Sequence, residues 1–270
     1  MALAGLVLGV MSSAAEEATE LRTLITADDT KGWEAVGRLE IGRSGFCTGA
    51  LIAPDIVLTA AHCLFNAHTL ERVDDSEIEF LAGWRNGRAT AYRGVRRSAI
   101  HPDYEYHGPT GADHVAVDVA LLELARPIKN GSVVPFATDE RPRKGDEVGV
   151  VSYARNRASR PSLQEVCHVL GRPAGTLVMS CDVDFGSSGA PVFRIVDGEP
   201  RIVSVISAKA DVRGRPVSLG ARLGQNLLEL QVALEKGEVA PSEPSKPVLR
   251  LAPEGVSTSS SSGGAKFLRP

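Results

Sequence analysis

The feature that most constrains this chain is the brevity of its apolar runs. "VGRLEIG", "GALIAPDIVLTAA", "IEFLAGW", "VDVALLEL", "EVGVVSY", "TLVMSC", "PVFRIV" and "RIVSVISA" are rich in Val, Ile and Leu, and are punctuated by Gly, Pro or Asp. β-branched side chains suit a pleated strand, whereas Gly, Pro and Asp suit the turns between strands. Many short strands with frequent turn signals specify an all-β barrel or sandwich. Only "QNLLELQVALEKG", residues 225–237, keeps helical spacing, with Leu227, Leu230 and Ala233 or Leu234 on one face and Gly237 as its stop. A single helix therefore closes the fold.

The flanks differ from this body. Residues 1–15 carry an apolar run from Leu3 to Val10 and end in Ser13, Ala14 and Ala15, as a signal peptide or leader does, although no Lys or Arg precedes the run. The run is too short to span a bilayer. Residues 238–270 are rich in Pro, Ser and Gly and read as a disordered tail or linker. Residues 16–237 remain as the folded unit, secreted or periplasmic if the leader directs export.

With 43% hydrophobic residues in 270, the chain can bury one or two substantial cores. A net charge of −3 gives no general attraction to nucleic acid. Arg93, Arg96, Arg97, Arg141, Arg143, Arg155, Arg157 and Arg160 are scattered among acids and read as solvated loop faces. Four cysteines fall into two near pairs, Cys47 with Cys63 and Cys167 with Cys181, 16 and 14 residues apart. An even count in an exported chain suggests two disulfides, each worth about 3 kcal/mol if unstrained, with four buried thiols as the alternative. No C-x-x-C occurs, which disfavours a zinc ribbon or a thioredoxin-type site.

"DFGSSGAPV", residues 184–192, reads at first as a Gly/Ser loop. A serine becomes a nucleophile only beside a base that is itself oriented by an acid. His62 in "VLTAAHCL" supplies a base flanked by small residues, and Asp118 in "HVAVDVALLELARPI" supplies an acid at the start of an apolar run. Burying that carboxylate is costly unless something pairs with it, and an imidazole N–H would do so. The G-x-S-x-G elbow of α/β-hydrolases is excluded: it needs a histidine after the serine, and every histidine here precedes Ser188. His101, His107, Asp113 and His114 fit no zinc spacing, so no metal and no other cofactor is expected.

"TAAHC", "DVALLEL" and "GSSGAP", in that order, resemble the trypsin-like, chymotrypsin-fold serine protease family. The resemblance spans about residues 33–237 and extends to "FCTGALI", "IHPDY" and the closing helix. It implies two six-stranded antiparallel β-barrels with a triad at their interface and a C-terminal helix. It also implies roles: Ser188 attacks the scissile carbonyl, His62 carries the proton, Asp118 orients the imidazole, and the N–H groups of Gly186 and Ser188 form the oxyanion hole. The family's usual hairpin disulfide maps onto Cys47 and Cys63.

The resemblance departs at two places. Ser187 replaces the family's aspartate before the nucleophile, so activation by a new N-terminal ammonium is not expected. Ala190 replaces a glycine, a small change, and the arrangement around Cys167, Cys181 and Asp182 resembles bacterial members. Asp182 stands where trypsin-like members select Lys or Arg, which implies a lean to basic P1 residues unless Asp182 caps a turn or pairs with a local arginine. Ser207 maps to the pocket wall, and Ala208 and Lys209 replace an aromatic and a glycine, so Lys209 could neutralise Asp182 or crowd the pocket. Ile206 in place of a histidine disfavours acidic P1. The expected activity is serine endopeptidase on protein or peptide substrates. A catalytically silent, protease-like binding protein is the alternative, and the sequence leaves oligomeric state open.

Overall fold

A computed structural model describes residues 18–42, 45–106, 112–139, 142–237 and 266–267. The leader at 1–15 and the expected disordered tail lie outside these, except for Lys266–Phe267. The chain begins with a short strand, β1 (Arg22–Thr23). A first barrel follows from β2 (Val36–Ile41), β3 (Gly45–Ala53), β4 (Ile56–Thr59), β5 (Ile78–Ala82), β6 (Ala91–Ile100) and β7 (Ala120–Leu124). A short helix, α1 (Ala112–Val115), lies between β6 and β7. The second barrel uses β8 (Glu147–Ser152), β9 (Ser162–Gly171), β10 (Leu177–Met179), β11 (Pro191–Val196), β12 (Glu199–Val212) and β13 (Arg215–Arg222), and α2 (Gln225–Lys236) follows. A last short strand, β14 (Lys266–Phe267), pairs with Asp211 and Ala210 of β12.

Both barrels close, and every ladder in them is antiparallel. The first runs β2-β3-β4-β7-β6-β5; the second runs β8-β9-β10-β13-β12-β11, with β11 pairing back to β8. Numbered within its own barrel, each follows the same circuit, strands 1-2-3-6-5-4. Closure leaves no unpaired edge for backbone groups. Two six-stranded barrels and a closing helix are the expected chymotrypsin-like architecture.

The apolar runs bury where the pattern requires. Leu39, Leu51, Val57, Leu58, Phe80, Leu121 and Leu122 are buried inside or against the wall of the first barrel, and their cluster continues to Tyr153, Phe193, Ile202 and Val205 of the second. Val148, Val150, Leu177, Met179, Val192, Val203 and Ile206 fill the second. Both cysteine pairs are disulfides, Cys47–Cys63 and Cys167–Cys181.

The two ends of the described domain cross between barrels. Before entering the first barrel, the N-terminal segment lies on the second: β1 pairs with Leu163 and Ser162 of β9, and the Thr19 N–H donates to Val166 O at 2.9 Å. After leaving the second barrel, α2 packs on β6 and β7 of the first. Leu227, Leu230 and Leu234 form its buried stripe. Gly237 stops it in the left-handed region at φ 70°, its N–H closing on Ala233 O and Leu234 O.

Candidate active site

Each functional side chain is set by the end of a strand. His62 opens a tight turn, Ala61–Leu64, directly after β4, and the disulfide at Cys63 ties that turn to Cys47 of β3. Asp118 precedes β7. Its loop is held from behind, where Arg222 N and the buried Asn226 Nδ2 both donate to Ala116 O, at 3.1 and 2.9 Å. Ser188 precedes β11 in the loop of the second barrel equivalent to the His62 loop of the first.

His62 and Asp118 are in contact. His62 Nδ1 lies 2.7 Å from Asp118 Oδ2, and the His62 backbone N–H donates to Asp118 Oδ1 at 2.8 Å. Ser207 Oγ donates to the same Oδ2 at 2.5 Å. A carboxylate only accepts, so Nδ1 carries the proton and Nε2 is left with its lone pair, as a general base requires. These three donors answer how the Asp118 side chain, 5% exposed, is accommodated. Burial disfavours the imidazolium of His62, but the attraction and hydrogen bond of Asp118 outweigh it and hold the pKa above its ordinary value. Ser207 was expected on the pocket wall, and its hydroxyl is turned to the acid.

The serine loop is clamped against the same place. Ser188 O accepts from Thr48 N at 2.9 Å, Gly186 O from Thr48 Oγ1 at 2.8 Å, and the Gly189 N–H donates to Ile206 O at 2.7 Å, one residue before Ser207. Gly189 rests on Ala60 and Thr59, immediately before the His62 turn. Ser188 is partly exposed, and among the described residues its hydroxyl has no hydrogen-bond partner, His62 included. Gly186 has φ +97°, and a Cβ there would meet the Phe46 ring at 2.4 Å. Among the described residues the N–H groups of Gly186 and Ser188 have no acceptor, so both are free to donate to an incoming oxygen.

Asp182 is exposed, its N–H donates to Gln164 Oε1 at 2.7 Å, and its charge favours the charged form of the Arg157 guanidinium. Lys209 is half-buried and pairs across the ladder with Ser218, whose Oγ lies 3.5 Å from Met179 O on the strand leading to Cys181 and Asp182. Ala190 is fully buried, and its N–H donates to Ser187 O at 2.9 Å.

Not every arginine is a solvated loop face. Arg157 turns inward, and Nη1 donates to Ser152 O at 2.9 Å and Ser152 Oγ at 3.1 Å. Carbonyls left by the loop geometry attract it, which local sequence does not show. Of the histidine-rich loop, His101 is buried with Nε2 3.2 Å from Glu229 Oε2, while the side chains of His107 and Asp113 lie outside the described residues. Cys47, His62 and Cys63 bring ligand atoms within 4.8 Å of one another, but the two sulfurs are bonded to each other and offer no thiolate.

A base oriented by a buried acid thus stands in a turn whose preceding residues, Thr59 and Ala60, pack against Gly189 of the serine loop. The chain belongs to the trypsin-like peptidase domain family, whose model matches residues 47–201. It is 34% identical over 130 residues to Cathepsin G of Mus musculus, which is 44% of this chain and 44% of that protein. It is 31% identical over 120 residues to Mannan-binding lectin serine protease 1 of Homo sapiens, 40% of this chain and 16% of that protein. The chain thus spans less than half the length of these relatives. The structure described as Glu endopeptidase in complex with MPD superposes with a TM-score of 0.65 at 16% identity, covering 82% of this chain and 98% of the other, and shares its fold.

Proposed function

We propose that this protein is a serine endopeptidase that cleaves protein or peptide substrates through an acyl-enzyme formed on Ser188. The observation that carries this reading is the 2.7 Å contact of His62 Nδ1 with Asp118 Oδ2, which puts the proton on Nδ1 and leaves the Nε2 lone pair to act as a base. Nε2 takes the Ser188 hydroxyl proton as Oγ attacks the scissile carbonyl. The Gly186 and Ser188 N–H groups receive the developing oxyanion, and His62 returns the proton to the leaving amine. Water then repeats the sequence to release the acid. The two disulfides fit an oxidising compartment, secreted or periplasmic. Among the described residues no helix is long and apolar enough to cross a membrane.

Asp182 favours Lys or Arg before the scissile bond, while the charge of Arg157 acts on it in opposition, so the preference follows from how far the one offsets the other. Profiling with peptide libraries varied at P1 reads this directly. The decisive test is labelling with a fluorophosphonate, comparing wild type with Ser188→Ala and His62→Ala and locating the adduct by mass spectrometry. An adduct on Ser188 that both substitutions abolish is the expected result. A folded wild type that stays unlabelled overturns the protease reading in favour of a protease-like binding protein.

A further inference from the structure

The loop that carries Gly186 and Ser188 is fastened on two sides, and only one fastening is charged. In front, Thr48 holds the carbonyls of Gly186 and Ser188. Behind, Arg157 closes the short turn Arg155–Arg157 that follows β8. Its Nη1 is satisfied by Ser152, while Nη2 reaches Ser187 Oγ at 3.4 Å. Ser187 is fully buried; its hydroxyl lies 3.1 Å from Tyr153 O, and its oxygen also faces the Asp184 N–H at 3.4 Å. Asp182 and Asp184 act on the guanidinium as nearby negative charges, favouring its charged form against the burial that disfavours it. Asp184 in turn builds the loop, its Oδ1 accepting from Phe185 N at 2.8 Å and its carbonyl from Ser187 N at 2.9 Å. Arg155 N adds a bond to Phe185 O at 2.7 Å, so residues 152–157 and 184–187 are laced together.

We propose that Arg157 is a positioning residue for catalysis: its guanidinium ties Ser152 to Ser187 and balances Asp182 and Asp184, which fixes the loop that aims the Gly186 and Ser188 N–H groups. This rests on the protease reading above. Removing the guanidinium leaves two like charges on one short loop and takes a donor from buried Ser187. The loop then loses the tether behind its oxyanion donors, while the substrate-facing side chains stay in place. A fixed, planar fork suits this work, and an ammonium reproduces only part of it. Displacing such donors by about 1 Å is enough to cost about 100-fold in turnover.

The test measures kcat and KM on the best peptide substrate, the rate of fluorophosphonate labelling at Ser188, and Tm, for wild type, Arg157→Gln, Arg157→Lys, Arg157→Ala and Ser187→Ala. For Arg157→Gln, kcat and the rate of labelling by the fluorophosphonate, which makes no use of the Asp182 charge, are expected to fall about 10- to 100-fold, on substrates with an uncharged P1 residue as well as a basic one. Arg157→Lys falls between it and wild type, and added guanidinium ion restores part of the Arg157→Ala rate at concentrations too low to lower Tm. A wild-type kcat in folded Arg157→Gln overturns the proposal. If the Arg157 variants do not fold, Ser187→Ala decides: a several-fold loss of kcat at unchanged Tm supports the tether, and wild-type kcat overturns it. A labelled wild type with unaffected variants removes only the role of Arg157, whereas an unlabelled wild type removes the protease reading and this proposal with it.

Discussion

Gly189 shows how little room the nucleophile's surroundings leave. A Cβ there would stand 2.1 Å from Thr59 Oγ1, 2.3 Å from Thr48 O and 2.9 Å from Ala60 N, at φ +76°. Gly189→Ala combines left-handed strain with overpacking and is expected to lower stability by about 3 kcal/mol or more, measured by urea unfolding. Gly198→Ala is the control: φ is +82° but nothing lies within 4 Å, so strain alone should cost about 1 to 2 kcal/mol. His62 supplies a pH prediction. Because its pKa is held up by Asp118, the acid limb of kcat/KM should lie above about 6.5, and Asp118→Asn should move it down while sharply reducing kcat. Since the folded value is raised, the stability given by the imidazolium pair is fully present below about pH 6.5 and is lost as pH rises through the folded value. Urea midpoints of wild type and His62→Gln should therefore converge with increasing pH. The contact of His62 with Asp118 was legible because a base and its orienting acid need specific residue types, whereas the order of the motifs, and Ser188 with them, came from the family resemblance. Arg157 was not legible, since among "ARNRASR" nothing local marks which arginine finds buried carbonyls, and Ser207 revealed its partner only once β12 passed beside Asp118.

At the scale of elements, the Asp118 loop depends on a helix more than a hundred residues later. Asn226 is 1% exposed, and its amide donates to Ala116 O and Arg222 O, both at 2.9 Å. Asn226→Ala leaves two carbonyls short of a donor, which should lower stability by about 1 to 3 kcal/mol and reduce kcat with KM nearly unchanged. Denaturant midpoints and steady-state kinetics check both. The Cys47–Cys63 bond restrains the His62 turn against β3, and replacing both cysteines with alanine should cost about 3 kcal/mol, read in the same unfolding assay. Strands and the closing helix were visible as local periodicity and turn chemistry. The circuit around each barrel was not contained in any single run: pairings such as β4 with β7 and β11 with β8 depend on which apolar faces can be buried together. Knowledge of the fold came from the motif resemblance, not from the runs alone.

At the scale of the whole molecule, the reacting groups belong to different bodies. His62 and Asp118 hang from the first barrel and Ser188 from the second, and each barrel satisfies its own backbone by closing on itself. The shared apolar seam and hydrogen bonds such as those of Thr48 to Gly186 and Ser188 hold one against the other, and the two crossed ends, β1 on β9 and α2 on β6 and β7, add to them. A nick in the 25–33 segment severs one end without touching either ladder. Circular dichroism should then keep its β signature while peptide turnover falls, an outcome that simple unfolding cannot give. The crossed ends work as a clasp, so turnover becomes a ruler for slippage between two otherwise intact halves, finer than any probe of secondary structure.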